Sequence, residues 1–328
     1  MRRDRGFVLV NALILVAALS SVAVLLLSRS EAGQARLQAG LAADQLQLNL
    51  DAFEALAITT LGRDLNGIDH TGEDWAQPLP PVDLAQGRVT GVMEDLQSRY
   101  NINWLAIPGN TLADEAFDRL LLRLGISPET GTALRDFLQP GGPADRARWQ
   151  QQVPPLEPRG GAILDLGQLR QIPGLSERSL DVLQPYLSAV PGVAPLNVNT
   201  AAPEILGAFF PEMPPAQMAR LVAERQQEPF PSLAVFLGEI GIALGETDPE
   251  SADLDGDGVV SPVEQDAADA AAEQRKQMLE RSLSVQSDWF RTDAQAEYRG
   301  TIARRVSVLE RTGMPPTVKV TWRMTFRP

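Results

Sequence analysis

From Asp253 to Glu264 the chain reads Asp-Leu-Asp-Gly-Asp-Gly-Val-Val-Ser-Pro-Val-Glu, twelve residues with oxygen donors at set offsets. Asp253, Asp255 and Asp257 each offer a carboxylate oxygen, Val259 a backbone carbonyl, Ser261 a water-mediated contact and Glu264 a bidentate carboxylate. Gly258 supplies the sharp turn, which needs positive φ. Hard oxygens in this order suit Ca2+, whereas Mg2+ demands a tighter octahedron and keeps its waters. A helix runs on from Pro262 to Arg281, but Gly245 and Pro249 interrupt the segment before the loop, and no second loop comes after it to pair with Val260. The spacing therefore predicts one structural calcium site, with affinity on the order of 10⁻⁴ to 10⁻³ M, and no cooperative sensor.

Little other chemistry is available. The 328 residues include no cysteine, which excludes disulfides, thiol nucleophiles and cysteine-based metal sites. The single histidine, His70, lies in the polar turn Asp69-His70-Thr71-Gly72-Glu73 and reads as a loop residue, not a catalytic base. A formal net charge of −13 repels phosphate backbones, so nucleic acid is not an expected partner. With 44% hydrophobic residues the chain has ample material for packed cores.

These residues must be positioned by long-range architecture, and its plainest element is amino-terminal. Met1 to Gly6 is short and basic, and Phe7 to Leu27 is apolar except for Asn11, Ser20 and Ser21. Twenty-one helical residues span about 30 Å, the thickness of a bilayer core. Basic residues before the span predict a cytoplasmic amino terminus and export of the chain beyond Arg29. Residues 30–62 continue without proline, and Leu37, Leu41, Leu48, Ala52, Leu56 and Ile58 make a stripe expected to pack on a globular domain.

Further on, 63–87 is rich in Gly, Pro and Asp and reads as irregular, while Arg88–Asp95 alternates like a half-buried strand and leads into Asn101-Ile102-Asn103-Trp104-Leu105. Short helices are predicted at 113–124, 128–138, 166–172, 177–187, 202–210 and 215–226. Between them lies Leu196-Asn197-Val198-Asn199-Thr200-Ala201-Ala202-Pro203-Glu204-Ile205-Leu206, in which Asn199 or Thr200 is expected to cap a helix opened by Pro203 and Glu204. Strands are predicted at 283–290, 294–309 and 317–326, with Gly313-Met314-Pro315-Pro316 as a turn.

Arg5-Gly6-Phe7 before an apolar run resembles the leader of type IV pilins and type II secretion pseudopilins. The Asn197-Val198-Asn199-Thr200 motif with Glu204, together with the inserted helical region, resembles the K-type minor pseudopilins (general secretion pathway protein K). The resemblance spans nearly the whole chain. It implies cleavage by a prepilin peptidase after Gly6 and methylation of Phe7. It also implies a place at the tip of a periplasmic pseudopilus beside I- and J-type minor pseudopilins, as an assembly component and not an enzyme. Most pilins carry Glu at the position of Asn11, where a carboxylate would pair with a neighbour's terminal amine; Asn11 lacks that charge. The same Asn-Val-Asn-Thr string opens helix-hairpin-helix DNA-binding modules, and a membrane-anchored DNA receptor is the alternative. Against it, the turn Phe209-Phe210-Pro211-Glu212-Met213-Pro214-Pro215 lacks the glycine, loses donors to proline and places Glu212 where a phosphate would sit.

The expected fold is α+β: a long amino-terminal helix on an antiparallel sheet, with a large all-α insertion of SAM or helix-hairpin-helix kind and one EF-hand-like calcium loop. The expected division is a leader at 1–6, a membrane part of the helix at 7–28, helix and first strand at 29–108, an all-α insertion at 109–242, the calcium loop and its helix at 243–281, and closing strands at 282–328. The expected location is the inner membrane, single-pass, with a periplasmic bulk.

Overall fold

A computed structural model describes residues 4–84, 86–241 and 261–326. Helix α1 runs unbroken from Asp4 to Arg63. From Leu9 to Leu27 it is exposed and apolar except for Asn11, Ser20 and Ser21, and among the described residues α1 is the one helix long and apolar enough to cross a membrane. The second part buries Leu46, Leu50, Phe53, Ala57 and Leu61, at spacings of four, three, four and four.

This is not the predicted stripe. Leu37, Leu41 and Leu48 remain 71%, 68% and 60% exposed, and Ala52 and Leu56 are exposed too. At 100° per residue, Leu48 lies about 160° around the helix from Leu46 and Leu50. The sequence carries two apolar stripes on opposite faces, and the sheet covers the other one. Of the predicted set only Ile58, on the margin, touches the core.

The sheet has five antiparallel strands in the order β1 (Leu79–Leu84), β2 (Gly87–Asp95), β7 (Trp289–Tyr298), β8 (Thr301–Thr312) and β9 (Thr317–Phe326). β1 lies in the stretch expected to be irregular. Pro80 and Pro81 disguise it, and an edge strand tolerates them because it pairs on one side only. The predicted strand 294–309 is corrected as well: residues 289–312 form a hairpin that turns at Arg299 and Gly300, both with positive φ.

α1 packs on Val89, Ala294, Ala296 and Ala303 at one end of this sheet and on Met93, Phe290 and Leu309 at the other. Gly91 permits the approach, since a Cβ there would lie 2.5 Å from the Phe53 ring. The interface also holds polar pairs. Arg305 donates to Asp51 (2.5 Å), Ser307 to Glu54 (2.7 Å) and Arg323 to Glu54 (3.1 Å).

Between β2 and β7 the chain leaves the sheet and builds a helical module. Its helices are α2 (Thr111–Arg123), α3 (Pro128–Leu138), α4 (Ala147–Gln150), α5 (Glu177–Leu183), α6 (Pro203–Phe209), α7 (Pro215–Gln227) and α8 (Leu233–Glu239). The stretch predicted as a helix at 166–172 is a 3₁₀ turn over Leu166–Gln171, and α5 ends sooner than expected because Pro185 comes next. α9 (Pro262–Ser282) leads back to the sheet. The module core is apolar and aromatic: Tyr100 meets Trp104 edge-on at 5.0 Å and stacks on Phe117 at 5.2 Å.

Candidate functional site: two asparagine clamps and a buried acidic joint

Two short parallel ladders organise the module. β3 (Tyr100–Asn101) pairs with β4 (Leu187–Ser188), and β5 (Leu196–Asn197) pairs with β6 (Leu283–Ser284). Each ladder runs into an Asn-x-Asn tripeptide with the same wiring. The first asparagine's Oδ1 accepts from the backbone N–H two residues on, from Asn103 to Asn101 (3.2 Å) and from Asn199 to Asn197 (2.9 Å). The second asparagine pairs its amide with both backbone groups of a distant residue. Asn103 holds Ile163 through N–H (2.7 Å) and C=O (2.9 Å), and Asn199 holds Phe230 likewise (2.9 and 3.0 Å). Asn suits this task because one planar side chain offers donor and acceptor together.

The second clamp is joined to a cluster of buried acids. Asn197 donates through Nδ2 to Ser287 Oγ (2.8 Å), the Asp69 carbonyl (3.1 Å) and Asp95 Oδ2 (3.2 Å). Asp95, the last residue of β2, also accepts from Thr200 Oγ1 (2.5 Å), Ser287 Oγ (2.7 Å) and the Gln97 N–H (2.7 Å). Burial raises the Asp95 pKa, and these donors oppose that rise.

Asp69 accepts from the Ser287 N–H (2.7 Å) and from Arg311, while its Oδ1 is buried with no donor among the described residues. Burial pushes its pKa up to about 7 against the pull of Arg311. Arg311 also donates to Asp64, just past the end of α1, at 2.6 Å. The joint therefore ties α1, the sheet, the module and the segment after α9 through one hydrogen-bonded network. Its chemistry is cohesion and proton binding.

The structure brings only part of the predicted set together. Asn197 and Asn199 are fully buried in the second clamp, and Thr200 bonds Asp95. Neither Asn199 nor Thr200 caps α6, whose N-cap is Ala202 without a side-chain bond; Pro203 and Glu204 do occupy its first turn. The side chains of Asn199 and Thr200 are committed to tertiary contacts instead. Gly6 and Phe7 lie within α1, and Asn11 is exposed on its apolar part. Asp253, Asp255, Asp257 and Val259 lie outside the described residues, Ser261 precedes α9, and Glu264 stands in its first turn. His70 sits on the loop after α1, its Nδ1 accepting from the Gly72 N–H (3.1 Å).

Asp69, Asp95, Ser287, Arg311 and Arg225 escaped the sequence reading. Arg225 is buried and donates to the carbonyls of Val198 and Ala201, and burial lowers its pKa to about 10. Only the repeated Asn-x-Asn spacing hinted at the arrangement.

Comparison with known proteins gives a consistent picture. Sequence models of the type II secretion system protein K match residues 98–192 and 196–255. Each matched segment opens at one of the two Asn-x-Asn clamps. The type II secretion system protein K of Pseudomonas aeruginosa is 32% identical over 275 residues, 75% of this chain and 80% of that protein. That of Aeromonas hydrophila is 26% identical over 228 residues, 62% of this chain and 69% of that protein. Among solved structures, a chain of the GspK-GspI-GspJ complex from the enterotoxigenic Escherichia coli type 2 secretion system matches with a TM-score of 0.67. It is 21% identical, and the match covers 89% of this chain and all of that one.

Proposed function

The chain belongs to the type II secretion system protein K family, and on that footing we propose that it works by assembly, not catalysis, as the minor pseudopilin capping the tip of the secretion pseudopilus. The observation that carries this reading is the two-faced α1. One apolar face is already covered by the sheet, and Leu37, Leu41, Leu48 and Leu56 leave a second one bare, in line with a membrane span. A helix with two apolar faces is suited to a bundle of like helices. The likeness to a chain of the GspK-GspI-GspJ complex supports I- and J-type minor pseudopilins as the neighbours.

The rest of the reading comes from the sequence. A prepilin peptidase cuts after Gly6, Phe7 becomes the methylated terminus, and the anchor stands in the inner membrane with its amino terminus cytoplasmic. Asp253, Asp255, Asp257, Val259, Ser261 and Glu264 hold a structural Ca2+ that stabilises the fold by linkage. The helical module serves as a helix-hairpin-helix-like scaffold and blocks stacking of further subunits.

DNA binding is not favoured: Glu212, in the turn that would face phosphate, pairs with Arg275 of α9 at 2.8 Å. The test is copurification of the full chain with I- and J-type partners in detergent. Leu41→Asp with Leu48→Asp should lower recovery of the complex about tenfold, a change of about 1.4 kcal/mol, with unchanged melting. Undiminished recovery would remove the reading. Calorimetric calcium binding, abolished by Glu264→Gln, tests the loop separately.

A further inference from the structure

The module and the sheet have separate interiors and are bonded at one corner. Among the described residues, the module's apolar core shares no residue with the two clusters between α1 and the sheet. The chain crosses between the two bodies twice, outward through the 3₁₀ turn Leu96–Ser98 and back through Val285–Asp288. Gln97, only 3% exposed, fastens these crossings side by side. Its Oε1 accepts from the Asp288 and Trp289 N–H groups (2.6 and 3.2 Å), and its Nε2 donates to the Pro195 carbonyl of the module (2.8 Å). Among the described residues, hydrogen bonds from residues 100–283 to the sheet all end on Asp95, from Asn197 and from Thr200.

From this corner a cleft of about 340 Å³ opens between the bodies, with Leu96 and Arg99 lining it at the outward crossing. One wall is the Leu166–Gln171 turn with α5. The other is the face of β8 and β9 turned away from α1: Arg323 reaches Glu54 of α1, so its neighbours Trp322 and Met324 point to the cleft. Apolar side chains stand unburied on both sides, Leu164 at 70% exposure on the module and Met324 and Phe326 at 45% and 47% on the sheet.

Nothing ties the walls together. Among the described residues, no hydrogen bond or ion pair runs from residues 164–184 to β8 or β9. The charges are matched within each wall instead: Arg170 faces Asp181 at 3.7 Å, and Arg291 and Arg304 share Asp293. Bringing the walls together therefore buries apolar surface without setting unmatched cations against each other.

We propose that the module rocks on this corner as one body, opening and shutting the cleft against β8 and β9. Shutting it brings Leu164 and Leu166 onto Met324 and Phe326. A small, polar contact between two bodies leaves relative motion free, and a hinge needs only a few residues to absorb the change in backbone angles. The two short crossings supply those residues. Asp95 holds the module through a hydroxyl and an amide, groups that keep their bonds through a modest rotation while both apolar cores stay intact.

The test uses the full chain in detergent, where the absence of native cysteine leaves an introduced pair as the only sites for spin labels. Leu164→Cys with Met324→Cys spans the cleft. Leu122→Cys with Leu164→Cys stays within the module, and Leu48→Cys with Met324→Cys within the other body, all at exposed side chains. Pulsed electron spin resonance should give a cross-cleft distance distribution broader than either control by more than about 2 Å, the scale of hinge rearrangement. Phe326→Glu places a charge where the walls meet and should move that distribution toward longer separations. A cross-cleft distribution as narrow as the controls, equal broadening of the pair at 122 and 164, or no response to Phe326→Glu would overturn the proposal.

Discussion

Asn101-Ile102-Asn103 and Asn197-Val198-Asn199 perform the same local task in different surroundings. Both sit on a two-residue parallel ladder, and both fasten a distant backbone through one amide side chain. The first clamp is neutral and closed within the aromatic core, with Asn101 taking the Val190 N–H and C=O (3.2 and 3.1 Å). The second faces Asp69 and Asp95 and leads out to the sheet and α1. The difference teaches what joining two packed bodies requires. Inside one core, neutral hydrogen bonds and apolar contact suffice. Across a joint, several strands and loops meet with too little apolar surface, and charge-assisted hydrogen bonds hold them at a cost in desolvation.

The sharpest break of the comparison removes the shared device. Asn103→Ala and Asn199→Ala each leave a buried N–H and C=O without a partner and should cost about 3 kcal/mol, read by denaturant unfolding. If one is costly and the other neutral, the clamps are not equivalent.

Asp95→Asn should separate them. It keeps an acceptor but loses the charge to which Thr200 and Ser287 donate, and it should cost about 1.5–3 kcal/mol. Melting should then show the sheet and the module coming apart in two steps, whereas an equally destabilising change at Asn101 keeps one step.

Proton linkage gives a third contrast. The Asp69 carboxyl titrates near 4 when unfolded and at about 7 in the fold. Between these values the native state holds a proton that the unfolded state has lost, so its contribution is present below about pH 4 and is lost as pH rises toward 7. The slope is at most about 1.4 kcal/mol per pH unit, and Asp69→Asn should flatten it while Asn103→Ala leaves it intact. Smallest of all, Glu204→Gln touches only the first turn of α6 and should cost about 0.5 kcal/mol.

Legibility in the sequence splits along the same line. Continuous features were legible: α1 from its apolar run and proline-free continuation, α3 from the glycines and prolines around it, β9 from its strand-like composition, and the motif around Asn197 from its resemblance to the K-type pseudopilins. The covered face of α1 was not, because Leu37-Leu41-Leu48 and Leu46-Leu50-Phe53 are equally apolar and only the tertiary fold decides between them. β1 was hidden by prolines that are harmless at an edge. Asp69 and Asp95 look like ordinary loop and strand-end acids, since their partners Ser287 and Arg311 come from some two hundred residues away.

One property of α1 concerns mechanics. Its contacts with the sheet begin near Leu46, and residues 34–41 are exposed on every side, with Gly33 and Gly40 open to more than 4 Å around a Cβ. About 27 Å of helix thus lies between the end of the membrane part at residue 28 and the first buried residue, Leu46. Hydrogen bonds along the axis make such a rod stiff to pulling and pushing, while two glycines leave it compliant in bending until neighbouring helices cover the Leu37 and Leu41 face. A force applied along the membrane anchor reaches the folded head almost undiminished, and the head retains freedom to tilt.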